Sequence, residues 1–513
     1  MNAPLRRARC AALLLAALAA PLPPHPAAEP PVRVLLWFDT EDYLLPASDD
    51  AAKRLAGILT ARDVRATFKV VGEKARVLEK RGRTDVIEAL KKHDIGYHTD
   101  YHAVHPTVAE YLAECGWADG VAEFHRREAQ GARDVMRVFG VERLSTYGQP
   151  GSSFAPQAFA ALAALGVAPH GIPTYVDEGD HVGLGGKPFW FAGALTVYRM
   201  SPNWTRMELH RDEDVEKGCA AFKAIHERLR AGGGGLISIF YHPCEWAHQQ
   251  FWDGVNFSRG ANPPREQWKA PPQRPAEETE AAFRRFERYI DFQKSLPGVT
   301  FVTTAELPAF YPDRVRVEGL DAVGVAALAA SLKDARTVDA RVDGDRALSP
   351  ADQLVALVHF LCAVSERRAV PERIDIPSVF GPGSPPPATE AGELAWPALR
   401  DALLDARSQL RELRQVPSCV FAGPRKIAPA DFLVACARAT SAMLASRDAS
   451  PFPPSVAVPA GTTIATERHV APDTPGLYGG WVIHPEGFRA PRIVQMTKLQ
   501  AWTLKPAVLS PGN

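Results

Sequence analysis

The chain has 513 residues, of which 46% are hydrophobic and 23% are charged. These are ordinary globular values, and they exclude a disordered or fibrous chain. The 59 basic side chains balance 59 acidic ones, so no overall positive field attracts nucleic acid. At roughly 150 residues per domain, the length accommodates about three domains, or one barrel with one or two smaller modules.

The N-terminus has the pattern of a secretory signal peptide. Three arginines precede an apolar run over residues 11–20, and small residues at 17–19 offer a cleavage site. The run is too short to cross a bilayer, and no later stretch reaches about 18 uninterrupted apolar residues. We therefore predict a signal peptide and short linker over 1–28. The mature protein is expected to be exported to the periplasm, cell surface or medium, with no membrane span.

Residues 31–312 alternate short apolar runs with longer amphipathic segments, a pattern that builds parallel strands joined by crossover helices. The predicted strands are 32–38, 66–71, 95–98, 144–147, 236–241 and 300–303. The predicted helices are 49–61, 84–92, 121–139, 156–165, 214–230 and 277–296. Seven or eight such units favour a (β/α) barrel over an open sheet.

A long connection over 243–275 contains five large aromatic residues but no regular period. Loops beyond about 15 residues are usually functional or disordered, and the aromatic content argues against disorder. We predict an ordered flap in which Trp246 and Trp252 present ring faces to a substrate. The alternative is a proline-rich surface excursion.

After residue 312 an internal repeat appears, since 348–356 matches 427–435 at an offset of 79 positions. Each copy begins with a proline suited to the first position of a helix and ends in a proline-flanked extended piece. We predict a linker over 313–345 and a smaller, mainly α-helical repeat module over 346–513. The extended pieces are 371–377 and 453–459.

Acidic and imidazole side chains directly follow three of the predicted strands. In a parallel barrel the carboxyl ends of the strands meet at one mouth, where catalytic groups gather. Two histidines four residues apart lie on one side of a helical turn, and a carboxylate from another strand completes a three-ligand metal site with an open position. The alternatives are solvated histidines and acids that cap a helix. The residues are Asp39, Glu41, Asp42, His98, His102 and His242.

These segments resemble the motifs of the polysaccharide deacetylases, carbohydrate esterase family four, which share the NodB homology domain. The resemblance covers about residues 31–312. Its segments are 38–42 for the first motif, 98–102 for the complete H-[ST]-x-x-H second motif, 65–72 for the strand between them, 242–243 for the fifth motif, and 298–307 for the closing strand and helix.

The resemblance implies a distorted (β/α) barrel that holds one divalent metal ion with a carboxylate and two histidines. His98 and His102 take the imidazole positions. Glu41 is preferred as the carboxylate ligand, with Asp42 as the alternative if the acids align from the other end. Zinc is the expected ion, although this ligand set suits cobalt and nickel as well.

The resemblance also assigns Asp39 as general base and His242 as general acid. The third motif departs from the family, because Gly148 stands where the family has an arginine that fixes the base. Another residue must therefore orient Asp39, or its protonation is set differently. The same motif is expected to place three residues beside the substrate: Tyr147, Pro150 and Gly151.

The activity that the resemblance implies is removal of N-acetyl groups from an acetylated glycan or cell-wall polymer, with no nucleic-acid partner. Residues 413–433 distantly resemble pseudomurein-binding repeats, a resemblance that implies attachment to a cell wall. The alternative is a helical module that only buttresses the barrel or dimerises. Two alternatives stay open. One is a cyclic-amide hydrolase of the allantoinase kind, and the other is a glycan-binding protein whose catalytic site has lapsed.

Overall fold

The computed structural model describes residues 30–367, 370–446 and 452–510. The predicted signal peptide over 1–28 lies outside these residues. Within the described ranges, none of the helices has both the length and the apolar character needed to span a membrane. The six cysteines from Cys115 to Cys436 are free.

The first part of the chain is a mixed α/β fold built around a parallel sheet. The strand order is β3-β2-β1-β7, and β8 pairs with the first half of β1. All nine residues of β1 are buried, as expected for a central parallel strand rich in valine, leucine and aromatic residues. The elements are β1 Val32–Thr40, α1 Pro46–Ala61, β2 Thr67–Val70, α2 Gly72–Lys80, α3 Thr84–Leu90, β3 Asp94–Tyr97, α4 Val108–Leu112, α5 Trp117–Phe139, α6 Gln157–Ala161, β4 Thr174–Asp177, β5 Phe189–Phe191, β6 Ala194–Tyr198, α7 Asp212–Ala231, β7 Gly235–Tyr241, α8 Trp252–Phe257, α9 Ala276–Ser295, β8 Val299–Val302 and α10 Leu307–Phe310.

The predicted strand at 144–147 forms only single-residue bridges. Tyr147 is bridged to Tyr97 at the end of β3 and to Tyr175 in β4, so the sheet continues through it toward β4 and β6. Strands β4, β5 and β6 were not predicted, because residues 168–200 are dense in glycine and proline. The count of seven barrel units stays a prediction.

The register of β1 and β2 determines which side chains meet at the mouth. Asp39 is paired with Lys69, and Lys69 is paired in turn with Gly96 on β3. Paired residues on neighbouring strands project from the same face of a sheet. The end of β1 therefore brings an acid directly beside a lysine from β2.

The second part of the chain is a mainly helical module with its own hydrophobic core. Each copy of the sequence repeat contains a helix, which begins at Pro350 or Pro429, and a β-hairpin before it that was not predicted. Two helices of this module, over 314–318 and 322–332, lie inside the predicted linker. The elements are α11 Arg314–Glu318, β9 Leu320–Asp321, α12 Ala322–Leu332, β10 Thr337–Val338, β11 Arg341–Asp343, β12 Arg346–Leu348, α13 Pro350–Arg367, β13 Arg373–Ile374, β14 Gly392–Ala395, α14 Trp396–Glu412, β15 Val420–Ala422, β16 Arg425–Ile427, α15 Pro429–Ala445, β17 Ser455–Val458 and β18 Thr463–Ile464.

The last segment returns to the barrel instead of continuing the module. Tyr478 and Ile493 are fully buried in the barrel core, and the final strand pairs with β5. Part of the region predicted as module over 346–513 therefore belongs to the barrel, because Leu477, Val494 and Leu504 are also buried in the barrel core. The elements are α16 Gly476–Gly479, α17 Pro491–Gln500 and β19 Lys505–Pro506.

Candidate active site

A cavity of about 530 Å³ lies at the carboxyl ends of the parallel strands. Of the six acidic and histidine side chains that the sequence singles out, all except Asp42 line this one cavity. A second wall comes from the C-terminal segment over residues 476–482. The predicted residues in the lining are Asp39, Glu41, His98, His102, Gly151 and His242.

Three of these residues form a group suited to a metal ion. Donor atoms of Glu41, His98 and His102 lie within 4.8 Å of one another. The Oε2 atom of Glu41 is 2.7 Å from Nε2 of His102 and 3.8 Å from Nε2 of His98. Oε1 of Glu41 is buried with no hydrogen-bond partner, which is costly for a carboxylate unless a cation is nearby. The donor set therefore fits a divalent metal ion.

The backbone fixes which nitrogen of His98 is free. Nδ1 lies 2.9 Å from the carbonyl oxygen of Gly148 and donates its proton there. Such a hydrogen bond sets the tautomer and leaves Nε2 with its lone pair toward Glu41. Gly148 therefore supports a ligand through its carbonyl group.

Asp42 does not belong to this group. Its Oδ1 accepts a hydrogen bond from the N–H of Leu44 at 2.8 Å, and its Oδ2 lies 3.2 Å from Nδ1 of His248. Both carboxylate oxygens of Asp42 therefore contact residues of buried loops. The alternative assignment of Asp42 as the carboxylate ligand is wrong for this geometry.

Asp39 lies between Lys69 and His242. Its Oδ1 forms an ion pair with Nζ of Lys69 at 2.9 Å, and its Oδ2 lies 3.7 Å from Nε2 of His242. Burial acts to raise the pKa of Asp39, but the charges of His98 and Lys69 outweigh it and hold the pKa below its usual value. Asp39 is therefore ionised at neutral pH.

His242 is oriented by a pair of residues that the sequence analysis missed. Its Nδ1 lies 2.7 Å from Oε1 of Glu245, and Oε2 of that carboxylate is 2.5 Å from Arg206. Burial acts to lower the pKa of His242, but Glu245 raises it to about 9. Burial likewise acts to raise the pKa of Glu245, which Arg206 lowers to about 2. His242 is therefore protonated at neutral pH, with Nε2 toward Asp39.

Four further acids in the cavity lining were also missed: Asp177, Glu178, Asp180 and Asp253. Asp177 ends β4, accepts a hydrogen bond from Nε2 of Gln149 at 3.2 Å, and has a pKa raised by burial to about 8. Asp253 lies 3.9 Å from Nδ1 of His102, and burial raises its pKa to about 6. Asp177 follows a strand in the same way as Asp39, but the strand itself was not predicted.

The expected substrate contacts of Tyr147 and Pro150 are wrong. Tyr147 is fully buried in the barrel core between its two bridged neighbours. Pro150 is buried and lies outside the cavity lining. Gly151 does line the cavity, and its neighbour Gln149 does so as well.

The expectation that Trp246 and Trp252 present stacking faces is also wrong. Both indoles are fully buried, because Trp246 packs against the phenyl ring of Phe286 and Trp252 against Tyr43. The loop over 243–275 is ordered, but its large rings anchor it to the barrel. Rings do reach the cavity from three other positions, which are Trp204 (39% exposed), Phe251 (40% exposed) and the half-buried Trp481.

Trp481 belongs to the C-terminal wall and touches the third-motif loop. A side chain at Gly151, where φ is 46°, would place its Cβ 2.4 Å from the indole of Trp481. Ser152 donates a hydrogen bond to the carbonyl of Tyr478 at 2.7 Å, and the indole meets the ring of His102 edge-on at 5.6 Å. Because these segments lie more than 320 residues apart in the chain, no local sequence pattern could have predicted their contact.

Comparison with known proteins finds likeness only in structure. No family model and no curated protein sequence matches this chain. A solved structure from Mycobacterium smegmatis, named as a polysaccharide deacetylase, has 14% identity and a TM-score of 0.34 over 56% of this chain and 92% of its own. An allantoinase has 14% identity and a TM-score of 0.34 over 57% and 96%. A CE4 family pseudoenzyme from Bacillus anthracis has 12% identity and a TM-score of 0.27 over 54% and 65%.

At these identities and TM-scores the likeness assigns neither an activity nor a substrate. The resemblance of the C-terminal region to pseudomurein-binding repeats stays a prediction.

The buried position of Trp246 predicts that it acts on stability. Replacing this fully buried indole by alanine leaves a large void, so Trp246→Ala should lower the free energy of unfolding by about 3–5 kcal/mol. Phe251→Ala, in the same loop but 40% exposed, is the matched control and should cost much less. Urea denaturation measures both. Wild-type stability in Trp246→Ala would contradict the buried placement.

The contact between His242 and Glu245 predicts a measurable change in acidity. Because Glu245 holds the pKa of His242 above its usual value, Glu245→Gln should lower that pKa by roughly one pH unit or more. NMR titration of the labelled imidazole measures it. Glu208→Gln, which removes a mostly exposed carboxylate from the same Arg206, is the control and should leave the titration of His242 unchanged. An unaltered pKa in Glu245→Gln would refute the assignment.

Proposed function

We propose that the protein is a metal-dependent hydrolase that removes N-acetyl groups from an amino-sugar-containing polysaccharide. The observation that carries this proposal is the common cavity of the Glu41–His98–His102 group and the Asp39–His242 pair. Peptidoglycan, chitin-like polymers and exopolysaccharides all offer the required acetamide. In agreement with the N-terminal sequence, we propose that it acts after export.

The donor set would hold one divalent ion, with zinc as our first choice. When bound, such an ion supplies Lewis-acid chemistry, which lowers the pKa of water and polarises an amide carbonyl. Glu41, His98 and His102 would hold it, and the Gly148 carbonyl would keep His98 in the correct tautomer.

The protein's own residues handle the protons. The ionised carboxylate of Asp39 faces the cavity and accepts a proton from the attacking water. His242, protonated at neutral pH, donates its proton from Nε2 to the amine that leaves when the amide bond breaks. Gly151 lines the cavity, and in this proposal its backbone N–H stabilises negative charge on the carbonyl oxygen. The products are acetate and a free amino sugar.

The size and lining of the cavity favour a sugar substrate. A volume of about 530 Å³ falls within the usual range of ligand sites, roughly 300–1,000 Å³. Rings at Trp204, Phe251 and Trp481 border it, and aromatic side chains offer broad, rigid contact surfaces to the apolar faces of sugar rings.

The direct experiment is acetate release over a panel of acetylated glycans, with allantoin as a parallel substrate. Chelator-treated protein should be inactive, and activity should return with added zinc, cobalt or nickel. Conversion of allantoin alone would establish the cyclic-amide alternative. Glycan binding without metal-dependent acetate release would establish a lapsed site.

The different roles of Asp39 and Glu41 predict different effects on metal binding when each acid is replaced by its amide. Asp39→Asn removes a proton acceptor but no ligand, so it should keep the metal and lower turnover by roughly 10²-fold or more. Glu41→Gln should lose the metal itself. Metal analysis and acetate release measure both variants, with Asp50→Asn, at an exposed acid outside the cavity lining, as control. Loss of metal from Asp39→Asn would reverse the two assignments.

A further inference from the structure

Lys69 is an unusual residue for its position in the fold. It lies in the central strand β2, and its side chain is fully buried. An ammonium group taken out of water costs several kcal/mol unless it is paired and hydrogen-bonded. A lysine kept at such a position therefore needs specific partners, and the mechanism above does not assign it a role.

The partners of Lys69 come from two other strands, β1 and β4. Its Nζ lies 2.9 Å from Oδ1 of Asp39 and 3.6 Å from Oδ2 of Asp177, and it donates a hydrogen bond to the carbonyl of Val176 at 3.0 Å. The ring centre of Trp37 is 4.0 Å away. The ammonium is thus fixed from several directions and presents its charge to one oxygen of Asp39.

The space that Lys69 occupies exists because two neighbours are glycines. A Cβ at Gly148 would lie 2.2 Å from Nζ of Lys69 and 2.4 Å from the carbonyl oxygen of Val176. A Cβ at Gly96, the register partner on β3, would lie 3.2 Å from Cγ of Lys69. A side chain at position 148 and the lysine at position 69 therefore exclude each other.

We propose that Lys69 is the positioning residue for Asp39, and that Gly148 is its obligatory counterpart. Gly148 stands where the third motif of the resembled family has an arginine. Lys69, on the strand beside β1, supplies a positive charge in its place. This inference rests on the proposed function, in which Asp39 accepts the proton of the attacking water.

The geometry explains how a lysine orients the carboxylate. An ammonium is a single-point charge, unlike the planar fork of arginine, so it engages only Oδ1. Oδ2 is left toward the cavity and 3.7 Å from Nε2 of His242. Asp177 and the carbonyl of Val176 also contact the ammonium, and these contacts keep it in place beside Asp39.

A second buried lysine provides a matched control. Lys505 is also almost completely buried, and its Nζ lies 2.8 Å from carboxylate oxygens of both Asp313 and Asp352. It is not part of the cavity lining. Replacing either lysine by methionine removes a buried cation from a pair of acids, although Asp313 and Asp352 keep their contacts with Arg316. Only Lys69→Met removes a charge from the proposed base.

The first experiment compares Lys69→Met with Lys505→Met. Metal content, thermal unfolding, and kcat and KM for acetate release are measured on the substrate found with the wild type. We expect Lys69→Met to retain the metal and to lose roughly 10²-fold in kcat with little change in KM, as a misplaced catalytic group does. Lys505→Met should lose stability but keep the kcat of its folded fraction. Equal kcat in the two variants would overturn the proposal.

Chemical rescue provides a test of the charge itself. Lys69→Ala opens a space beside Asp39, and added methylammonium should restore part of the lost turnover in a saturable manner. Trimethylammonium, which is too bulky for that space, should not. Absence of any methylammonium effect in a folded, metal-loaded Lys69→Ala would count against a positioning charge.

A crystal structure of Lys69→Met tests the inference without any turnover. We expect the Asp39 carboxylate to rotate away from its wild-type position, while the Glu41–His98–His102 group stays in place. An unmoved Asp39 would overturn the role of Lys69 even if the enzyme is active. A wild type without activity on any substrate would refute the proposed function, and the orientation of Asp39 would still be decided by the structure.

Discussion

Compensation of buried charge at the end of β1 is the constraint on which the site depends. Three acids within four residues, Asp39, Glu41 and Asp42, are each no more than 6% exposed. Carboxylates removed from water need cations or hydrogen-bond donors close by. Each acid finds them on a different element, and those partners come from β2, the loop after β3 and the loop after β7. The three acids thereby acquire three separate tasks.

This division of partners explains why the acids behave differently although they are adjacent in sequence. Glu41 meets imidazoles, which are metal ligands in their neutral form. Asp39 meets an ammonium, which carries no lone pair to offer a metal while it is protonated. Asp42 is held by Leu44 in its own loop and by His248 in the loop after β7. The role of each acid is therefore set mainly by the partners that neighbouring strands and loops place beside it.

Much of this was readable from sequence, for physical reasons. Buried parallel strands such as 32–38 and 236–241 are continuous apolar runs, so the reactive residues that follow them, Asp39 and His242, were found. Lys69 was overlooked because one charge in a strand looks like a solvated edge position, and its partner Gly148 gives no signal alone. Trp481 could not be found, since its contacts depend on chain return over more than 300 residues.

The C-terminal wall of the cavity has a consequence for how the protein folds while it is being synthesised. Its residues, 476–482, are synthesised more than 430 residues after Asp39. A growing chain in which the strands have formed but residues 476–482 have not yet joined them lacks one side of the pocket. The pocket is therefore completed late in folding, when this distant segment packs against the barrel.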